Sequence, residues 1–478
     1  MTDTLSNKDL SALGEVDLSE GDSNLSPGRR RWHLEHLDTE TLDLLDADAR
    51  YFFHQSLSTP CLNVLTSCSG SRLEDIQGRQ YLDFHGNSAH QVGFGHPEVI
   101  KAIKEQLDTL SFCTRRYTNI PAIRLAEKLA QIAPGNLDRV LFAPGGTTAV
   151  GMALKLARVA TGRFKTLSMW DAFHGASLDA ISISGEAMFR TGMGPLLPGC
   201  EHVPPADPYN CIFDPGGNCC TCGLKCARYV EYVLEKEGDV GAIIAEPMRN
   251  TAVNPPPPGY WQAIRTACDR HGTLLIFDET AVCLGRTGRM FACQNFDVVP
   301  DILTLGKGLG GGVIPFAAMI ARSDLDVAPE KSLGHYTHEK NPVACAAGLA
   351  AIRVIETENL PARARRLGDH ALARLNSIKA RHPLVGDARG LGLFLGLELV
   401  RDRVTREPAR AEADRVMYAC LERGLSFKTA QGNLLTLSPP LTITEHDLDL
   451  ALDILEESIG AVEKNLDRAL PKPYLKQE

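Results

Sequence analysis

The feature that most constrains the fold is a series of short, mainly apolar runs without the polar alternation of half-exposed strands. Runs of this kind are typical of parallel strands that helices cover on both faces. Amphipathic stretches such as PAIRLAEKLAQIA alternate with them, which predicts a doubly wound α/β sheet. The five runs are RVLFA (139–143), TLSMW (166–170), GAIIA (241–245), LLIF (274–277) and ILTL (302–305).

The remaining sequence predicts further units around a large domain over residues 101–344. Residues 1–30 are rich in Ser, Asp and Gly, which predicts a flexible acidic extension. Residues 31–100 contain an amphipathic helix and then short alternating segments, which predict a small antiparallel sheet that belongs to a small domain. Residues 345–478 contain a helical pattern and the strand-like runs GLFLGLELV and LLTLSPP. They predict the α+β remainder of the small domain.

Charge and hydropathy exclude two classes of protein. The 478 residues include 50 basic and 59 acidic side chains, and the net charge of −9 argues against broad nucleic-acid binding. No apolar stretch is long enough to span a bilayer, and the polar, acidic start lacks the pattern of a secretory signal. We therefore expect a cytoplasmic protein, without a membrane partner, whose 14 cysteines are mainly reduced.

Chemically distinctive residues follow all five runs. In open α/β sheets ligands bind beyond the carboxyl ends of the strands, and glycines before a helix expose N–H groups that bind phosphate. Each residue alone has an ordinary explanation as a tight turn, a core aromatic, a capping carboxylate or an exposed lysine. Together they predict one active site. In order of the runs, they are Gly145, Gly146 and Thr147; Phe173 and His174; Glu246; Asp278; and Lys307.

Residues 75–445 resemble the class III aminotransferases. The stretches LLIFDETAVCLGRTGRMFA and DILTLGKGLGGGVIP are similar to the central signature and the lysine motif of that family, and FAPGGTTAVGMALKLAR falls in the family's order. The resemblance implies fold type I: a large doubly wound mixed-sheet domain and a smaller α+β domain. It implies pyridoxal 5'-phosphate (PLP) as cofactor, with Lys307 bound to it covalently and able to move the proton on the substrate's Cα.

The resemblance also assigns the other cofactor contacts. Asp278 would pair with the protonated ring nitrogen, Phe173 would stack on one face of the ring, and Thr280 would pack on the other. The remaining contacts, mainly to the phosphate, would come from Gly145, Gly146, Thr147 and His174.

Two further residues are placed by the same resemblance. Glu246 lies where family members have a carboxylate near the cofactor or substrate. Thr337, in GHYTHEKNP, lies where a threonine of the neighbouring subunit completes the phosphate site. The resemblance therefore implies at least a homodimer.

Several positions depart from the family pattern. Thr436 stands where many members have an arginine that binds an α-carboxylate, and threonine lacks that bidentate fork. An ordinary α-amino acid is therefore a disfavoured substrate. Thr148 and Ala281 replace a glutamate and a glutamine and change the polar surroundings of the cofactor site.

Two segments supply candidate substrate residues. SFCTRRYTN contains Arg115 and Arg116, which form either a solvated pair or an anion site for a phosphonate or phosphate group. DFHGNSAHQVGFGHP contributes His85 and Asn87.

A cysteine-rich stretch, CIFDPGGNCCTCGLKC, has zinc-knuckle spacing between Cys219 and Cys222. A structural zinc site requires four ligands, and no second knuckle occurs in the sequence. We predict no metal, with free thiols or a labile disulfide among Cys211, Cys219, Cys220, Cys222 and Cys226.

Three functions remain after this reading. DFHGNSAHQVGFGHP and GHYTHEKNP resemble a branch of the family that contains an ammonia-lyase of aminophosphonate breakdown. The resemblance implies elimination of ammonia from (R)-1-hydroxy-2-aminoethylphosphonate, giving phosphonoacetaldehyde, by Cα proton abstraction and β-elimination. The alternatives are an ω-amine transaminase that uses pyruvate or 2-oxoglutarate, and a non-catalytic binding protein that keeps the fold.

Overall fold

The computed structural model describes residues 26–56, 58–59, 61–214 and 222–469. Residues 1–25, most of the predicted extension, lie outside these ranges. The end of that extension, predicted at residue 30, falls inside a helix that begins at Pro27. The Ser26 side chain accepts a hydrogen bond from the Arg29 N–H, and Trp32 is buried. This cap and this anchor explain why the chain is already ordered before residue 30.

Thirteen α-helices lie within the described residues. Side-chain caps start several of them: Asn119 accepts from the Ala122 N–H and Asn341 from the Ala344 N–H, each with a proline in the first turn. The helices are α1 (Pro27–His36), α2 (Thr39–Tyr51), α3 (Pro97–Thr109), α4 (Ile120–Ile132), α5 (Gly146–Thr161), α6 (Leu178–Ile183), α7 (Ala187–Arg190), α8 (Lys225–Glu237), α9 (Tyr260–His271), α10 (Pro342–Thr357), α11 (Leu360–Arg381), α12 (Arg410–Glu422) and α13 (Glu445–Ala469).

Sixteen strands lie within the same ranges. They are β1 (Leu65–Ser69), β2 (Arg72–Asp75), β3 (Gln80–Asp83), β4 (Leu137–Ala143), β5 (Lys165–Met169), β6 (Cys200–Val203), β7 (Val240–Ala245), β8 (Leu274–Asp278), β9 (Ile302–Leu305), β10 (Ala317–Arg322), β11 (Val385–Leu391), β12 (Phe394–Asp402), β13 (Glu407–Pro408), β14 (Leu425–Ser426), β15 (Lys428–Ala430) and β16 (Leu434–Leu437).

The large sheet has seven strands in the order β4-β10-β9-β8-β7-β5-β6. Strands β5 to β9 pair in parallel, and β10 pairs antiparallel with both β4 and β9. The five runs predicted as strands, now β4, β5, β7, β8 and β9, therefore all point the same way. This confirms the prediction of a mixed, doubly wound sheet. Helix α5 packs on this sheet and buries Val150, Ala153, Leu154 and Ala157.

Two strands of this sheet were not predicted from the sequence. Strand β10, AAMIAR, is rich in alanine, which is not a favoured strand residue. Strand β6 has only four residues at the sheet edge. Both owe their conformation to pairing with neighbouring strands rather than to local propensity.

Two smaller sheets contain the remaining strands. The predicted antiparallel sheet near the N-terminus is formed by β1, β2 and β3, and β14 from the C-terminal part pairs in parallel with β3. The other sheet has the order β11-β12-β16-β15, with β13 paired to β12. The predicted boundary between residues 344 and 345 falls inside α10, which packs on α3 and α4.

None of the helices within the described ranges combines the length and apolar character needed to cross a membrane. The cytoplasmic location stays a prediction.

Candidate active site

A cavity of about 190 Å³ lies at the carboxyl ends of the five predicted strands. It brings together eight of the residues proposed from the sequence, while Gly145 immediately precedes α5 at the same place. The residues that line the cavity are Gly146, Thr147, Phe173, His174, Gly175, Glu246, Asn250, Asp278, Thr280, Ala281 and Lys307.

A second cavity, of about 210 Å³, adjoins the first and shares Phe173, Asn250 and Lys307 with it. It contains the predicted His85 and Asn87. Its other lining residues are Ser88, Glu186, Phe189, Thr251, Lys428, Thr436 and Ser438. Lys307 therefore stands at the junction, and a molecule attached to it can reach both cavities.

Lys307 is held in an unusual backbone conformation. It follows β9 with a φ of 44°, a left-handed value that costs energy for any residue except glycine. Burial lowers the pKa of its amine, although the carboxylates of Asp278 and Glu246 act in the opposite direction. A lowered pKa favours the neutral amine, which is the nucleophilic form.

Asp278 ends β8 as a buried carboxylate with several donors around it. Its Oδ2 lies 2.8 Å from His174 Nδ1, and its Oδ1 accepts from the Thr280 N–H (3.1 Å) and from the Thr304 hydroxyl (3.0 Å). Burial alone would raise the pKa of Asp278, but the hydrogen bonds from His174 and Thr280 leave it below the usual value. The group stays ionised and presents a fixed negative charge to the cavity.

Glu246 follows β7 and has the opposite electrostatic character. Burial, with a further contribution from Asp278, raises its pKa. Its Oε1 accepts from the Asn250 N–H at 3.2 Å, while its buried Oε2 has no hydrogen-bond partner. A ligand that enters the cavity can satisfy this oxygen.

The first turn of α5 forms the end of the cavity nearest β4. Its N-cap is Gly145, so no side chain caps the N–H groups of this turn, and they point towards the cavity end. Gly175, at φ 128°, passes so close to the Thr147 side chain that a Cβ would collide with it. The buried hydroxyl of Thr280 nearby has no hydrogen-bond partner. These features suit an anionic group.

The remaining predicted residues flank the two cavities. Phe173 lines both of them and packs against Phe189 with ring centroids 4.6 Å apart. His85 and Asn87 belong to a loop in which Asn87 has a φ of 48°. Burial, together with the nearby charges of Lys428 and Lys307, lowers the pKa of His85 to about 3, so its ring is neutral near pH 7.

Three predicted residues lie away from both cavities of their own chain. Arg115 pairs with Glu339, with Nε and Oε1 3.1 Å apart, and Arg116 and Thr337 are exposed. The two segments pack together, since Phe112 meets the edge of the His338 ring. The role of Thr337 in a neighbouring subunit's phosphate site stays a prediction, and so does an anion site at Arg115 and Arg116.

The cysteine-rich stretch is only partly described, because Cys219 and Cys220 lie outside the described residues. Cys211 and Cys222 are buried together against Phe213, and burial raises the pKa of Cys226 to about 11. The described part of the chain contains no group of three metal-binding side chains.

Four cavity residues were not predicted from the sequence: Lys428, Asn250, Glu186 and Ser438. Ser438 is held by long-range contacts, since its N–H donates to the Phe84 carbonyl at 2.7 Å. Lys428 lies on a three-residue strand. No local motif marks either residue, and the only sequence signal was their proximity to Thr436.

The comparisons with known proteins all match enzymes or family models over most of the chain. The family model described as aminotransferase class III matches residues 54–459. An (R)-1-hydroxy-2-aminoethylphosphonate ammonia-lyase of Vibrio splendidus is 48% identical over 461 residues, which cover 94% of this chain and 96% of that protein. A leucine/methionine racemase of Thermococcus litoralis is 38% identical, with 88% and 96% covered.

Among solved structures, a taurine:2-oxoglutarate aminotransferase from Bifidobacterium kashiwanohense, in complex with PLP and glutamate, superimposes with a TM-score of 0.84. It is 30% identical, and the match covers 90% of this chain and all 100% of that one. The match therefore extends over both the large sheet and the smaller sheets.

Proposed function

The chain belongs to the class III aminotransferase family, whose cofactor is PLP, and on that premise we propose that it is an ammonia-lyase. Its substrate is (R)-1-hydroxy-2-aminoethylphosphonate, and its products are phosphonoacetaldehyde and ammonia. The observation that carries this proposal is the 48% identity, over 94% of the chain, to an enzyme named for that reaction. Thr436 supports it, because a chain without the family's arginine is poorly equipped to bind an α-carboxylate.

The first cavity suits PLP from end to end. The uncapped first turn of α5 can receive the phosphate, and the unpartnered Thr280 hydroxyl lies beside it. Asp278 would hold the protonated ring nitrogen, Phe173 would cover a ring face, and Lys307 would bind the aldehyde carbon. When bound, PLP withdraws electrons from the substrate carbon that carries the amine and so weakens its C–H bond.

The residues of the chain then handle protons and charge. Lys307 is placed at the junction of the cavities, and its lowered pKa suits the amine to accept the proton from that carbon. The lowered pKa of Asp278 keeps it a carboxylate, which would hold a proton on the ring nitrogen of bound PLP. His174 orients Asp278 through the contact between Nδ1 and Oδ2.

The reaction balances without a second substrate. Hydroxide leaves from the carbon that carries the phosphonate, and the product enamine is released. Water then converts this enamine to phosphonoacetaldehyde and ammonia. A transaminase, which has to return its cofactor to the aldehyde form with a keto acid, would stop after one turnover. The ω-amine transaminase is the second candidate, and the likeness to the taurine aminotransferase structure favours it.

Ammonia release over many turnovers separates these two functions. Purified holoenzyme is mixed with (R)-1-hydroxy-2-aminoethylphosphonate in the absence of any keto acid, and a Lys307→Ala preparation is the control. The lyase should release ammonia continuously, at many equivalents per active site. A single equivalent, extended only by pyruvate or 2-oxoglutarate, would instead establish the transaminase.

The proposal includes a homodimer. It is supported by the exposed positions of Thr337, Arg115 and Arg116 on packed neighbouring segments, from which they can reach a second subunit. Sedimentation of the purified protein at micromolar concentration tests this, and a monomeric species that retains full activity would contradict it.

A further inference from the structure

The second cavity contains a cation, Lys428, that no sequence motif predicted. Lys428 lines this cavity together with Lys307, His85 and Thr436. It lies on β15, which pairs antiparallel with β16, and the register places Lys428 directly opposite Thr436. Directly opposed residues of an antiparallel pair face the same side of the sheet, with their Cβ atoms about 5 Å apart. The pairing therefore holds the amine stem beside the Thr436 hydroxyl.

Thr436 itself indicates that a ligand belongs at this point. Thr436 is only 2% exposed, and its Oγ1 has no hydrogen-bond partner although the residue lines the cavity. A buried hydroxyl without a partner is costly, so its place at a cavity wall points to a group that arrives with the substrate.

The other charged groups of the cavity leave Lys428 as the cation for an anion. Lys307 is committed to the cofactor, and the His85 ring is neutral because burial and the nearby Lys428 charge lower its pKa to about 3. Among the described residues that line the cavity, Lys428 is then the remaining cation. Glu186 adds a carboxyl group to the same cavity. An anion that binds there therefore needs a nearby positive charge to offset repulsion by this group.

We infer that Lys428 and Thr436 form the subsite for the phosphonate of the substrate within the same chain. The family's arginine at the Thr436 position is thus replaced by a lysine one strand away. A lysine ammonium acts as a point charge with three donors and lacks the bidentate fork that arginine offers a carboxylate, but it is a common ligand of tetrahedral phosphate-type anions. The identity of the anion rests on the proposed function. The location of the subsite rests on the cavity and on the strand register.

Binding of methylphosphonate, an unreactive probe, tests the subsite without catalysis. Titration calorimetry is performed on the holoenzyme and on Lys428→Met, which keeps the length of the side chain and removes its charge. Loss of a charge-assisted contact should weaken binding about 10- to 100-fold. Lys428→Arg should bind nearly as well as the unaltered enzyme. Lys101→Met, which changes an exposed lysine on α3, is the matched control and should have no effect.

A second variant guards against a folding defect in the first. Thr436→Val is close in shape, alters no charge, and should weaken methylphosphonate binding about 2- to 10-fold through the lost hydroxyl. In turnover assays both substitutions should act mainly on KM, since the phosphonate is bound equally before and during the reaction.

The outcomes distinguish this inference from the proposed function. If ammonia is released from the phosphonate substrate but Lys428→Met and Thr436→Val bind methylphosphonate normally, the subsite is wrong and the lyase stands. The subsite is also wrong if Arg115→Ala or Arg116→Ala abolishes binding while Lys428→Met does not. If no ammonia is released but binding still depends on Lys428, the anion subsite stands and the lyase fails.

Discussion

The two ends of the proposed active site are built in different ways: the cofactor end is the first cavity, to which we assign PLP, and the substrate end is the second cavity. At the cofactor end, the functional residues lie at or shortly after the carboxyl ends of strands of the large sheet. Asp278 is fixed there by His174, Thr280 and Thr304. At the substrate end, the walls come from distant parts of the chain: the Ser438 hydroxyl donates to the Phe84 carbonyl across 354 residues. Local sequence motifs therefore supply the residues of the cofactor end, whereas the substrate end forms only when distant segments of the chain pair with each other.

This difference indicates that the cofactor end determines the chemistry and the substrate end determines which substrate is bound. The cofactor end can stay constant while the substrate end changes, because altering a short strand such as β15 leaves the large sheet intact. Two of the relatives reported above fit such a division, since one is named as a lyase and the other as a racemase. We expect substitutions at the cofactor end to reduce kcat most and those at the substrate end to change KM and stability.

The largest effect should come from Lys307→Ala, which removes the amine at the junction of the two cavities. We expect kcat to fall by roughly 10⁴-fold or more, because the amine that we propose to bind the cofactor and to move the substrate proton is lost. Loss of the visible absorption of the lysine-bound cofactor should accompany the loss of turnover. Normal turnover in this variant would show that Lys307 takes no part in the reaction. The proposed division between a cofactor end and a substrate end would then be wrong.

Asp278→Asn should have the next largest effect. The amide carries no charge to hold a proton on the cofactor's ring nitrogen, so we expect kcat to fall roughly 10³-fold. The Thr304 hydroxyl can donate to the amide oxygen as it does to the carboxylate, so the asparagine should keep the position of Asp278. PLP should therefore still bind. Steady-state kinetics together with the cofactor content per subunit measure both effects, and an unchanged kcat would contradict the role of the carboxylate.

His174→Ala should reduce kcat/KM by about 10- to 100-fold, through loss of one charge-assisted contact to Asp278. The His174 contact helps to keep the Asp278 pKa low, so the pKa rises in the variant, and the acid limb of the pH profile moves to higher pH. A merely structural role would lower activity without moving that limb. Thr304→Val, which removes a neutral contact to the same carboxylate, is the matched control and should shift the limb less.

The smallest effect concerns stability at the substrate end. Burial raises the pKa of Asp83 to about 7, although N–H groups of His85 and Gly86 lower it, and the carboxyl group lies 3.5 Å from His90. A raised pKa gives stability that is complete below the unfolded value of about 3.9 and is lost as the pH rises through 7. Between pH 5.5 and 8 this loss is about 2 kcal/mol.

Asp83→Asn should remove that pH dependence. Thermal unfolding at several pH values should show the unaltered protein losing stability relative to the variant as the pH rises. Asp108→Asn, at an exposed position of α3, serves as the control and should follow the unaltered protein. A constant difference across the pH range would mean that Asp83 does not take up a proton on folding.

The sequence by itself determined the large sheet and the cofactor end. Apolar runs without alternation predicted five strands, and because parallel strands end at the same edge, Asp278 and Lys307 had to meet there. The predicted assembly of Gly146, Phe173 and Glu246 at this edge rested on the same rule. Strand direction and local motifs were sufficient for this part.

Only the tertiary structure decided the substrate end. The pairing of Lys428 with Thr436 depends on the register between two short strands, and a shift of one residue would turn the lysine to the other face. The approach of the His85 loop depends on contacts with Ser438 near the other end of the chain. Arg115 and Arg116 were the sequence's candidates for the anion, but Arg115 is engaged with Glu339 on the surface of its own subunit. Local patterns contain no information on such pairings, because the packing of distant segments determines which residues become neighbours.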